Sequence, residues 1–153
     1  MNNLFIAILL SIAPISELRG GIPYGIGFGY NPILVFALCT LANILIIVII
    51  FLFLDYLHET FMKITLYRKL MDRVILRTKK KIESKVGSKW ETLALYLLVA
   101  IPLPGTGAYT GCLAAWLFKL NRKKSMLAIS LGVLTAGIII TLVSTGVLSL
   151  VSQ

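Results

Sequence analysis

Four apolar stretches divide the chain, two of them continuous and two broken. Residues 32–54 run for 23 positions without a charge, opening on Pro32 and followed by Asp55. Residues 125–151 are equally uncharged. At about 1.5 Å per residue, each predicts a helix able to cross a hydrocarbon core of about 30 Å with some tilt. Proline suits the start of such a helix, where its missing amide hydrogen would be unpaired anyway.

In residues 4–30 an apolar run reaches Ala13 and then meets Pro14, Glu17, Arg19, Gly20, Gly21 and Pro23. In residues 92–120 a run reaches Ile101 and meets Pro102-Leu103-Pro104-Gly105-Thr106-Gly107, before a second apolar half continues to Phe118. Proline removes an amide donor and glycine carries high chain entropy, so neither stretch sustains one continuous helix. The second half-helices are expected to start near Pro23 and near Thr106. Backbone freed at membrane depth is tolerated where protein or a water-filled cavity covers it.

Charge decides how the broken stretches run. Of the 15 Lys and Arg residues, ten lie from Lys63 to Lys89, four from Lys119 to Lys124, and Arg19 stands alone. A full crossing by residues 92–120 would put the two basic groups on opposite faces, against the positive-inside tendency of short loops. A segment that dips in and returns keeps both groups on one face. Its arms, at 10–12 residues, reach roughly half-way through the core. The expected fold is therefore an all-α integral membrane domain containing an inverted repeat. Repeat 1 (residues 1–55) and repeat 2 (residues 92–153) each pair a re-entrant helical hairpin with a transmembrane helix. Both termini are expected outside and the basic region in the cytoplasm, which places the protein as a multi-pass chain in the cytoplasmic membrane.

Residues 56–91 link the repeats. Tyr67, Leu70, Met71, Val74 and Ile75 recur at helical spacing, while Arg68, Lys69, Asp72, Arg73 and Arg77 take the other faces. This predicts a basic amphipathic helix lying on anionic headgroups of the inner leaflet, with Trp90 anchoring the chain where it re-enters. Lys79-Lys80-Lys81 reads as a solvated run, and His58 carries no assignment.

Composition supports the membrane assignment. Hydrophobic residues make up 58% of the 153 and charged residues 14%, against about 25% charged in an average soluble domain. Mean hydropathy is +0.93. The net charge of +9 follows from basic loops between spans, so nucleic acid is not an expected partner. The N-terminal run lacks both a charged n-region and an A-x-A site, and is expected to be retained. Cys39 and Cys112 stand singly among apolar neighbours, as packing residues.

Glu17 and Arg19 are the exception to the apolar pattern, since tyrosine and cysteine aside they are the only ionisable residues inside the four stretches, Lys119 standing at the very end of its own. A charge at membrane depth is costly unless paired or hydrated, which makes these two candidate functional residues; a mutual salt bridge locking the tip, or a shallow, wet tip, is the structural alternative. Two opposed half-helix N-termini with Arg19 added would attract an anion such as phosphate. Glu17 beside them is a candidate for coupling movement to a proton. The candidate substrate or ion site therefore comprises Glu17, Arg19, Gly20, Gly21, Pro23, Pro102, Pro104, Gly105, Thr106, Gly107 and Tyr109, with Asn43 half-way along the first span. Gly21, Gly25 and Gly29, Gly107 and Gly111, and the stripe Ala128, Gly132 and Ala136 predict close helix packing. The chain shows no nucleophile–base pair, metal-ligand cluster or phosphate-cradling Walker motif, so neither enzymatic activity nor a metal or cofactor is expected.

Two strings carry a family resemblance. Ile15-Ser16-Glu17-Leu18-Arg19-Gly20-Gly21-Ile22-Pro23 and Pro102-Leu103-Pro104-Gly105-Thr106-Gly107-Ala108 resemble the paired signatures of the small multi-drug export protein family. More distantly the chain resembles the DedA/VTT membrane proteins, whose inverted repeats carry re-entrant hairpins and a P-x-P element. That resemblance implies movement of lipids, including polyprenyl phosphates, often with proton coupling. Position 98 is Leu98 where DedA proteins typically carry an acidic residue before P-x-P, and no arginine occurs in the second hairpin region. One Glu17–Arg19 pair would then serve the mechanism.

The expected function is a transporter or flippase of an amphiphilic anion such as a lipid phosphate. The alternatives are a drug exporter using Glu17 and a non-transporting membrane scaffold whose basic helix recruits a partner. Two full spans enclose little space, so a homo-oligomer, at least a dimer, is expected.

Overall fold

The computed structural model describes residues 2–56, 90–103 and 105–151, together with Asp72 and Leu76. Pro104, His58, the lysine run and the amphipathic helix expected on Tyr67, Leu70, Met71, Val74 and Ile75 lie outside the described residues. The described chain is all helical: α1 (Asn3–Ile12), α2 (Glu17–Gly27), α3 (Pro32–Tyr56), α4 (Glu91–Ala100), α5 (Ala108–Leu117) and α6 (Arg122–Val151).

Proline chemistry sets where the short helices stop. The residue before a proline is pushed out of the helical region by the pyrrolidine ring. Ala13 before Pro14 is extended at φ −73°, ψ 135°, and ends α1; Ile101 before Pro102 is extended at φ −83°, ψ 114°, and ends α4. The first break therefore falls at residues 13–16, and α2 starts at Glu17, with Pro23 inside it. This corrects the expected start near Pro23. The ring of Pro23 faces outward and costs only one hydrogen bond, to the Arg19 carbonyl, in a helix of 11 residues. The second half-helix begins at Ala108, close to the expected Thr106.

Both long helices start earlier or end later than the uncharged runs alone imply. α3 continues through Asp55 to Tyr56, and α6 starts at Arg122. Each is long and apolar enough to cross a membrane. Only 33% of the most apolar window of α3 and 39% of that of α6 is buried, whereas the core helix of a soluble protein would be covered on most sides. Ile33, Leu41, Leu45, Ile49, Leu142 and Leu150 are among the large apolar side chains left exposed.

Each half folds the same way. α1 packs on α2 and α3, and α2 on α3; α4 packs on α5 and α6, and α5 on α6. Across the halves α2 meets α6, α5 meets α3, and α3 meets α6, so exchanging the halves returns the same set of pairings. Directions follow from individual contacts. Tyr30 donates to Asn2 Oδ1 (2.6 Å), Cys39 lies on the Ala7 carbonyl (3.7 Å), and Asn43 donates to the Ser11 carbonyl (2.6 Å), so α1 and α3 run parallel. The two long helices run antiparallel, since Arg122 pairs with Asp55 at one end while Gly137 lies against Phe36 and Thr40 further along. The tip of the first hairpin consequently stands level with Asn43, near the middle of α3.

The corner from hairpin to long helix is built twice with the same bonds. At Phe28-Gly29-Tyr30-Asn31, the Gly29 and Tyr30 amides return to Ile26 and Gly25, and Asn31 Oδ1 caps Ile33 (2.9 Å). At Phe118-Lys119-Leu120-Asn121, the Lys119 and Leu120 amides return to Trp116 and Ala115, and Asn121 Oδ1 caps Lys124 (3.2 Å). This is a Schellman-type stop followed by an asparagine N-cap. It requires a left-handed residue, which is Gly29 (φ 81°) in the first half and Lys119 (φ 53°) in the second. A non-glycine residue in that conformation costs roughly 1–2 kcal/mol.

Small residues let the helices close. A methyl group on Gly21 would overlap the Ala7 carbonyl, and Gly132 accepts Val99 so closely that an added Cβ would lie 2.7 Å from it. The stripe of Ala128, Gly132 and Ala136 is buried. Leu95, Val99, Ile129, Val133, Val35, Cys39 and Ile47 fill the centre between the halves.

Candidate functional site

The two hairpin tips meet at the level of Asn43. The N-terminus of α5 receives no side-chain cap from Gly107, so its first amides need outside acceptors. The Glu17 carboxylate supplies one from the other hairpin. Its Oε1 accepts from the Tyr109 amide over 3.4 Å, and the Ala108 amide also donates to it. A carboxylate at a helix N-terminus is favoured by the backbone dipoles as well as by the hydrogen bonds. Gly107 makes room for it, because a Cβ there would occupy the position of the carboxylate itself. Glu17 holds φ at 46°, and with Lys119 it is one of two non-glycine residues at positive φ among the described residues.

Arg19 crosses to the same hairpin on its own and donates from Nη2 to the Thr106 carbonyl. Among the described residues no ion pair links Glu17 to Arg19; the ion pair that forms is Arg122–Asp55. The two charged side chains are half-buried, each held by backbone of the opposite hairpin. Thr106 is buried and orders the loop, its single hydroxyl hydrogen directed to the Leu103 carbonyl (2.7 Å) or the Ile101 carbonyl (2.9 Å) while its oxygen accepts from the Leu103 amide. Tyr109 closes the contact by donating to the Ile12 carbonyl (2.5 Å), one of the carbonyls left open at the end of α1.

Between these groups lies a cavity of about 10 Å³, lined in part by Glu17, Arg19, Asn43, Pro102, Gly107 and Val133. That is about the space of one water molecule. Asn43 is 1% exposed; its amide nitrogen holds Ser11, while its Oδ1 is buried without a hydrogen-bond partner among the described residues. A buried acceptor in that state is costly, and it stands on the wall of the cavity that Glu17 shares.

The structure thus brings together Glu17, Arg19, Asn43, Pro102, Thr106, Gly107 and Tyr109. It does not place the remaining candidates there. Gly20 and Gly21 face Ser16, Ser11 and Ala7, where they set how closely α1 and α2 approach. Pro23 is exposed on α2. Gly105 forms the exposed turn at φ 73°, its carbonyl accepting from Thr110 (3.3 Å). Sequence reasoning anticipated anion-attracting amides at the start of the second half-helix, but missed that Glu17 itself takes them and that Tyr109 engages the Ile12 carbonyl. The available signal was a helix start, Gly107-Ala108, with no capping side chain of its own. Among the described residues no three His, Cys, Asp or Glu side chains gather as metal ligands.

A family model described as small multi-drug export protein matches residues 17–139, from Glu17 at the first tip to well inside α6. No curated protein and no solved structure gives a match.

Proposed function

The chain belongs to the small multi-drug export protein family, and on that premise we propose that it is a membrane transporter whose substrate path runs between the two hairpin tips. α3 and α6 span the bilayer, and the α1–α2 and α4–α5 pairs are re-entrant hairpins entering from opposite faces. The antiparallel long helices and the exchangeable helix pairings support such an inverted repeat. Single cysteines at Asn2, Lys80 and Lys123 test the arrangement. The last two are expected to react with an impermeant thiol reagent from one face and the first from the other. Reaction of Lys80 and Lys123 positions from opposite faces would end the hairpin reading.

The observation that carries the transport reading is the Glu17 carboxylate seated on the N-terminus of α5. The site is built for an anion, and the protein's own side chain fills it. Protonation of Glu17 removes its charge and frees the Ala108 and Tyr109 amides, so a phosphate or carboxylate on the substrate takes the vacated donors. Arg19 adds positive charge beside them. Substrate and proton are then linked by competition for one set of donors, and the cargo is an amphiphilic anion such as a lipid phosphate. The family description favours a second reading, in which the ionised Glu17 binds a cationic drug. A second copy of the chain would complete the enclosure.

Liposomes containing the protein distinguish the two readings. Polyprenyl phosphate is expected to cross the bilayer faster with a proton gradient than without one, with little efflux of a cationic dye. Dye efflux with no lipid movement would overturn the anion reading in favour of the drug reading.

A further inference from the structure

The corner between α5 and α6 departs from its counterpart between α2 and α3 in a way that folding does not require. Both corners make the same backbone bonds, yet the left-handed position is Gly29 in one and Lys119 in the other. The first residue of the long helix is Pro32 in one and Arg122 in the other. A lysine serving only to mark the inner face would not need a conformation that favours glycine.

Lys119 and Arg122 border a cavity of about 500 Å³, walled by Phe51, Trp116, Leu117 and Leu120. The Arg122 guanidinium lies 4.8 Å over the Phe51 ring and pairs with Asp55. That pairing neutralises Asp55, so Lys119 leaves the rim with a net positive charge. An apolar wall under a cationic rim does not suit a free inorganic ion, which would have to shed water against hydrocarbon. It suits a molecule with a phosphate at one end and acyl chains at the other.

We propose that this corner binds the headgroup of an anionic membrane lipid, with its phosphate between Lys119 and Arg122 and its chains along Phe51, Trp116 and Leu117. The site stands apart from the hairpin tips and holds whether or not those tips carry a substrate. Its position at the cytoplasmic surface of the bilayer follows from the topology proposed above.

The test uses the purified full chain and its Lys119→Gly, Arg122→Gln and Glu17→Gln variants. Binding of phosphatidylglycerol and of phosphatidylcholine is measured by native mass spectrometry, and thermal unfolding is followed in detergent. Lys119→Gly installs the residue that the matching corner carries, so its melting temperature without added lipid should equal or exceed that of the wild type. Its affinity for phosphatidylglycerol should nonetheless fall at least fivefold, as should that of Arg122→Gln, while Glu17→Gln binds as the wild type does. Unchanged phosphatidylglycerol affinity in Lys119→Gly would overturn the proposal. So would a change of phosphatidylglycerol affinity in Glu17→Gln in either direction, which would place the lipid at the tips, or equal competition by inorganic phosphate. A photoreactive phosphatidylglycerol should label residues 115–122; label confined to residues 57–89 would mean that the lipid lies on the basic segment and not at the corner, and would also overturn it.

Discussion

Glu17→Gln is expected to reduce proton-driven transport at least a hundredfold while the protein still folds. Glutamine keeps the shape of the side chain and one carbonyl oxygen able to accept from the Tyr109 amide. It loses the charge that α5 stabilises, a difference of about 1 kcal/mol between a charged and a neutral hydrogen bond. The fold should absorb that loss as a small fall in melting temperature. The functional loss is of another order, because the side chain no longer releases and regains the α5 amides with a proton. The variant should bind an anionic substrate as tightly as the wild type or more so, since the internal competitor is gone. Gly107→Ala should give a similar loss of transport by a steric route, its methyl group taking the place of the carboxylate. Flux measured in liposomes with an imposed proton gradient checks both variants, and wild-type flux through Glu17→Gln would refute the competition mechanism.

Gly21→Ala should destabilise the chain by about 1–3 kcal/mol, the cost of overpacking a closed interface. The new methyl group would overlap the Ala7 carbonyl and lie 2.8 Å from Ser11 Cβ, both on α1. Backbone cannot rotate aside as a side chain can, so α1 and α2 must separate. That separation also pulls on Asn43, which holds the Ser11 carbonyl, and on Cys39 at the Ala7 carbonyl. Helix propensity alone predicts the opposite sign, since alanine in a helix interior is favoured over glycine by roughly 0.5–1 kcal/mol. Gly146→Ala supplies the control, because nothing among the described residues lies within 4 Å of the added Cβ. Thermal unfolding of the two variants in one detergent should move in opposite directions. A rise for Gly21→Ala would show that the helices do not approach so closely.

Much of the fold is legible along the chain because it depends on local chemistry. An uncharged run of 23 residues from Pro32 predicts a helix long and apolar enough to cross a membrane, and Pro32–Tyr56 is one, since a helix satisfies its backbone within the segment. Pro14 and Pro102 end their helices by sterics on the preceding residue, which needs no tertiary partner. Pro23 shows the limit of that logic. Its residue type reads as a break, yet it sits inside α2, because the chain had already turned at Pro14 and the ring faces outward. The repeated corner at Phe28-Gly29-Tyr30-Asn31 and Phe118-Lys119-Leu120-Asn121 shares its phenylalanine and its capping asparagine, but the left-handed residue between them differs, and the common backbone bonding emerges only in the fold.

Composition is enough to single out Glu17 and Arg19, since a carboxylate and a guanidinium at the break of an apolar stretch must be accounted for. It left a mutual salt bridge as one option. In the folded chain the two side chains do not pair, and each engages backbone of the opposite hairpin. The physical reason is that their partners are amides and carbonyls, which every residue carries and no residue type announces. Which of them stand open at the tip depends on where helices end and how closely Gly21, Gly107 and Gly132 let neighbouring segments approach.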